Sequence, residues 1–135
     1  MKRFISVVLV VVMILTVCAT AFAEDHYFST NNLAKTKANT FGDYKKTTAN
    51  GTPAKVKNAT VSSSKGTFHF RVWKYTGWQA SEGGRITGSG SLTLKSMKDG
   101  NNEFRLWQGE KYYLAATHSD KSKVNSASCS GYWVP

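Results

Sequence analysis

The strongest constraint on this chain is the run Thr67-Phe68-His69-Phe70-Arg71-Val72-Trp73, in which apolar and polar residues alternate with period two. Side chains on an extended strand point to opposite faces in turn, so Phe68, Phe70 and Val72 share one face and His69, Arg71 and Trp73 the other. Such a strand has one face to bury and one to leave out. The same alternation recurs further along, and no apolar spacing near 3.6 competes with it. Glycine rather than proline punctuates the runs, with 11 Gly against 2 Pro. Together these features predict an all-β fold.

Ile86, Gly88, Gly90, Leu92 and Leu94 alternate with Arg85, Thr87, Ser89, Ser91 and Thr93, which predicts one long strand with a bulge or bend at its glycines. Glu103 to Trp107 and Lys111 to Thr117 read as a hairpin joined through Gln108-Gly109. Ser126 to Val134 alternates again, with Ala127, Cys129 and Trp133 on one face. Weaker strands are expected at His26 to Ser29 and between Pro53 and Ser62, and turns at Asn50-Gly51, Lys65-Gly66, Gly83-Gly84 and Asp99-Gly100. About six to eight strands at this spacing predict a small antiparallel β-sandwich.

The first residues do not belong to that pattern. Met1-Lys2-Arg3, an apolar run from Phe4 to Cys18 and a closing Ala21-Phe22-Ala23 are the three parts of a secretory signal peptide, with cleavage expected between Ala23 and Glu24. An uncleaved anchor is the competing reading, because the apolar run approaches the roughly 20 residues that span a bilayer. The Ala-x-Ala end favours cleavage. Residues 24–135 then form a single domain, which is all that 135 residues accommodate. The formal charge of the whole chain is +10; losing Lys2 and Arg3 from 18 basic residues, and none of the 8 acidic ones, leaves +8. A protein so charged attracts polyanions such as cell-wall polymers or a membrane surface. Cys18 departs with the leader, so Cys129 is the only cysteine left and no internal disulfide can form. A thiol on the Trp133 face reads as a small buried hydrophobe in a monomer, the alternative being a dimer bridged through Cys129.

Asp25-His26-Tyr27-Phe28-Ser29, Tyr44-Lys45-Lys46-Thr47-Thr48 ahead of a Pro-x-Lys-Val stretch, Tyr113-Leu114-Ala115-Ala116, and the closing Ser130-Gly131-Tyr132-Trp133 are short, structural motifs. In these the chain resembles a family of small secreted proteins of Gram-positive bacteria that has no assigned function. The resemblance covers nearly all of residues 24–135 and implies export and a β-rich single domain; it implies no catalytic or binding residue. A looser likeness, to small cationic secreted bacteriocins, rests on charge, size and Trp, Tyr and Gly content.

Little in the sequence points to chemistry. His26, His69 and His118 are scattered, and neither H-E-x-x-H nor C-x-x-C occurs, so no metal or cofactor is expected. Cys129 has no local motif pairing it with His69 or His118 as nucleophile and base. Glu82, Asp99, Glu103, Glu110 and Asp120 all fall in or beside expected turns, and Asp99-Gly100-Asn101-Asn102-Glu103 lacks the spaced ligands of a calcium loop. With no G-x-S-x-G elbow and no phosphate-cradling Gly/Lys motif, an enzyme is not expected.

What remains is an interleaving of cations and aromatics. Arg71, Trp73 and Tyr75 share one strand face with His69, Arg105 and Trp107 share another, and Lys111 and Tyr113 a third, with Lys74 and Trp78 nearby. If those strands are neighbours, Arg71, Trp73, Tyr75, Arg105 and Trp107 form a binding platform in which rings stack on flat ligands and guanidinium groups hold anions. The competing reading makes these aromatics the second sheet's core, and a sandwich's need for two inward faces favours it. No nucleic-acid recognition module is visible, so no specific nucleic-acid partner is expected. The expected role is secreted, non-enzymatic association with anionic cell-surface material, the alternative being a bacteriocin-like antagonist of other bacteria.

Overall fold

The computed structural model describes residues 23–34, 38–61, 67–119 and 126–135. The expected leader, but for Ala23, and the expected Lys65-Gly66 turn lie outside them. The described residues form eight strands: β1 (His26–Ala34), β2 (Asn39–Lys45), β3 (Ala54–Val61), β4 (Thr67–Lys74), β5 (Gly84–Ile86), β6 (Gly90–Leu94), β7 (Lys111–Ser119) and β8 (Ser126–Val134). They make two four-stranded antiparallel sheets, ordered β1-β8-β3-β6 and β2-β7-β4-β5. The fold is the small antiparallel β-sandwich the alternation predicts. Among the described residues no helix is long and apolar enough to cross a membrane.

Strand parity builds the core. Phe68, Phe70 and Val72 of β4 are fully buried, as are Tyr112, Leu114 and Ala116 of β7, and they meet Phe28, Val56, Leu94 and Trp133 of the opposite sheet. Fully burying side chains of this size contributes roughly 1.5–3 kcal/mol each. Cys129 is 2% exposed within this core, and burial pushes its thiol up to about 11, so the group is unreactive and out of reach in the folded chain. One edge of the sandwich is closed by rings: His26 of β1 stacks flat on Tyr44 of β2 at 3.5 Å, and both lie within 6.3 Å of Trp133. Phe28 meets Phe41 and Phe70 across the same seam.

Three local expectations are corrected. The single strand expected through Ile86 and Leu94 is two strands in different sheets: Ile86 pairs with Phe68 of β4, Leu92 with Val56 of β3. The chain turns the corner at Gly88, whose φ of 84° suits glycine and strains other residues. Glu103 to Trp107 is a loop touching a strand-like partner only at Phe104, opposite Lys98; beyond it the Arg105 carbonyl and the Leu106 and Trp107 amides are taken by side chains described below. Gly83-Gly84 is no turn, since Gly84 already opens β5. β2 was not anticipated; its polar composition and the register break between Phe41 and Tyr44 hide the alternation.

Just past β2 stands an unexpected group. Lys46 is 0% exposed, and its ammonium donates to Thr48 Oγ1, to the Thr52 carbonyl at 3.0 Å and to the Pro135 carbonyl at 3.3 Å. Burial lowers its pKa from 10.5 to about 8. The unfolded chain therefore holds this proton more tightly between about pH 8 and 10.5, and that contribution to stability rises with pH through the window. Cys129 and Tyr112, whose pKa values are raised by burial, pull the opposite way from about pH 9 upward. A comparison with Lys46→Met cancels them. In melts from pH 7.5 to 9, the native protein should gain on the variant by up to about 1.4 kcal/mol per pH unit; a difference that stays flat with pH would show the ammonium is not desolvated.

Candidate functional site

The outer face of the second sheet carries a groove of about 260 Å³. β4 and β7 set it out in register: His69 faces Thr117, Arg71 faces Ala115 and Trp73 faces Tyr113. Thr40 of β2, Ala115 and Thr117 are short and form the floor, while Arg71, Trp73 and Tyr113 rise around it. Arg71 reaches over Gly83, where a Cβ would come within 3.2 Å of its Nε. Arg85 of β5, opposite His69, adds a second guanidinium. The pKa of His69 is lowered, first by burial and then by the charges of Arg85 and Arg71, so the field over this face is positive. None of the side chains lining the groove is acidic. Thr40, and Arg85 just outside the lining, are not among the expected site residues; strand register brings them here.

A second hollow of about 230 Å³ lies in the loops, with Trp78, Phe104, Arg105 and Trp107 around it and Lys74 and Glu110 ion-paired at 3.2 Å beside it. Loops are ordinarily the mobile part of a sandwich, but this one is braced at nearly every residue. Leu106 is fully buried and anchors it. Ser96 Oγ accepts from the Arg105 and Leu106 amides at 3.2 and 3.0 Å. The Tyr112 hydroxyl, at the core surface, accepts from the Trp107 amide and donates to the Arg105 carbonyl, both at 2.8 Å. From the β2–β3 connection the Gly51 amide donates to the Leu106 carbonyl, and Asn50 Oδ1 accepts from the Gln108 amide. The turn at Asp99 is closed by its own carboxylate, which accepts from the Asn101 and Glu103 amides.

The five residues of the expected platform are thus divided. Arg71 and Trp73 belong to the sheet groove, Arg105 and Trp107 to the loop hollow, and the two share no lining residue. Tyr75 lines neither and is 73% exposed on the hairpin between them. Nor are these aromatics a second core: Trp73 is half-buried on the outer face and Trp107 is 43% exposed. The inward faces are filled instead by Phe68, Phe70, Tyr112, Leu114 and Trp133. His118 is buried too, with neither ring nitrogen hydrogen-bonded and its ring 5.9 Å from Phe68. Among the described residues no three His, Cys, Asp or Glu side chains are grouped so as to hold a metal ion.

Neither a protein-family model nor a curated protein matches this chain.

The two classes of tryptophan should separate in a melt. Replacing Trp73 and Trp107 together by alanine should keep a cooperative transition and lose about 2 kcal/mol or less. Replacing Trp133, which is 0% exposed, should cost about 3–5 kcal/mol, much of the stability of a domain this size. Loss of the transition in the double variant would return Trp73 or Trp107 to the core.

Proposed function

We infer that the protein is an exported, non-enzymatic binding module that associates with anionic cell-surface polymers through the outer face of its β2-β7-β4-β5 sheet. The observation that carries this reading is the one-signed groove: two arginines whose charges are felt at His69, aromatic walls at Trp73 and Tyr113, and no carboxylate lining it. Arginine suits phosphate and carboxylate because its fork of donors matches their oxygens, and ring walls give a polymer's backbone something to lie against. The charge of +8 expected after removal of the leader draws the same class of partner over a longer range. The resemblance to small secreted proteins of Gram-positive bacteria agrees with a cell-wall setting and is part of this reading.

Retention of the purified protein on isolated Gram-positive cell walls tests it. Binding should be strong at about 20 mM salt and should fall steeply by about 200 mM, as the Debye length shortens. Arg71→Gln combined with Arg85→Gln should lower retention about tenfold at low salt while the melt is unchanged. Negligible retention at low salt, or retention indifferent to the arginine pair, would remove the proposal. Release of dye from anionic vesicles without wall binding would favour the antagonist instead.

A further inference from the structure

The loop hollow differs from the groove in charge, in shape and in how it is held. Trp78, Phe104 and Trp107 leave 66%, 43% and 43% of their surfaces in water around one concavity. Three large rings exposed in one place ordinarily mark a contact surface, because packing them against each other would remove that apolar area from water. Here they are kept from doing so. Phe104 lies over Gly51, where a Cβ would approach within 2.5 Å of the ring. The Trp107 indole nitrogen donates to the Phe104 carbonyl, and the Arg105 guanidinium sits 6.0 Å from the Trp78 ring centre while donating to the Gln79 carbonyl at 3.1 Å. The hollow is preformed, so a ligand entering it meets little ordering cost.

Its charges cancel. Lys74 and Arg105 are matched by Asp99 and Glu110, with Lys74 and Glu110 already paired. The lining itself offers an anion no net attraction, and Lys98, outside the lining, is already engaged over the Phe104 ring. A cation must compete with Arg105 and with Lys98, whose ammonium is 5.2 Å from the centre of the Phe104 ring. The occupant is therefore uncharged, with an apolar face for the rings and polar edges for the ion pair. A volume of about 230 Å³ limits it to a ring or two, below the roughly 300–1,000 Å³ of pockets for drug-sized ligands. A pyranose has this form: one face of C–H groups lies on an indole, and hydroxyls around the edge reach carboxylate and ammonium.

We propose that the hollow formed by Trp78, Phe104, Arg105 and Trp107 binds a neutral sugar ring of a glycan chain, independently of the cationic groove. Titration by tryptophan fluorescence with cellohexaose, chitohexaose and mannohexaose, and with polygalacturonate as the charged comparison, tests it. At least one neutral hexasaccharide should bind, with an affinity unchanged between about 50 and about 500 mM salt. Trp107→Ala should weaken that binding about tenfold or more, Trp107→Phe should restore part of it, and Arg71→Gln should leave it unaltered. A cooperative melt for Trp107→Ala, with the protein folded at the titration temperature, shows that the loss belongs to the hollow and not to the fold. Failure of all three neutral probes, affinity that falls with salt, or indifference to Trp107→Ala would each overturn the proposal.

Discussion

Trp133 has no exposed surface, and the sandwich is arranged to keep it so. It lies on the last strand, inside the first sheet, and is met by His26 from the first strand and Tyr44 from the second sheet. No disulfide is available to hold the two sheets together among the described residues, and the single cysteine there packs beside this layer as an apolar group. Burial must carry the whole load. A sandwich depends on exclusion of water between its faces, and a large indole at the closing edge removes more apolar surface than any aliphatic residue could. The cost is one unpaired donor, since the Trp133 ring nitrogen has no hydrogen-bond partner. That penalty, about 1–3 kcal/mol, is of the size that burying the ring offsets.

Lys46 shows the same balance with a charge. An ammonium with no exposed surface is expensive, and its lowered pKa measures part of that expense. What it obtains is connection: carbonyls of Thr52 and Pro135, far apart in sequence, meet on one nitrogen beside the β2–β7 ladder. An apolar residue would fill the volume and leave both carbonyls dry. The position is therefore a polar crosslink where the described residues hold no covalent one, retained although it weakens the folded state below pH 8.

Alternation was legible wherever a strand had one wet and one dry face. β4 and β8 could be read from sequence almost to their ends for that reason. β2 could not, because an edge strand with a register break needs few apolar residues and carries them out of phase. The corner at Gly88 was hidden by the opposite effect: Ile86, Leu92 and Leu94 all face the same interior from two different sheets, so the parity runs on as though the strand did. The candidate site was legible as residue types and illegible as geometry. Arg71 and Trp73 were found because their strand was found. Their separation from Arg105 and Trp107 depends on side-chain hydrogen bonds that turn a strand-like sequence into a braced loop.

Tyr112 is where core and loop meet, and it explains why that loop can hold an open hollow at all. Its ring is buried with β7, while its hydroxyl serves one backbone donor and one backbone acceptor of the loop. Removing the oxygen would leave two backbone groups unpaired in a partly buried place, a cost of about 1–3 kcal/mol for each. Mobile loops gain their freedom by having their backbone groups served by water. This loop is served by Ser96, Asn50, Gly51 and Tyr112 instead, so its rings stay apart for the same reason that the core stays packed. The sheet groove needs no such bracing, because β-strand register already fixes its side chains. A single sandwich thereby carries two surfaces of different origin: one cationic and set by strand pairing, the other charge-balanced and set by a hydroxyl that the core holds in place.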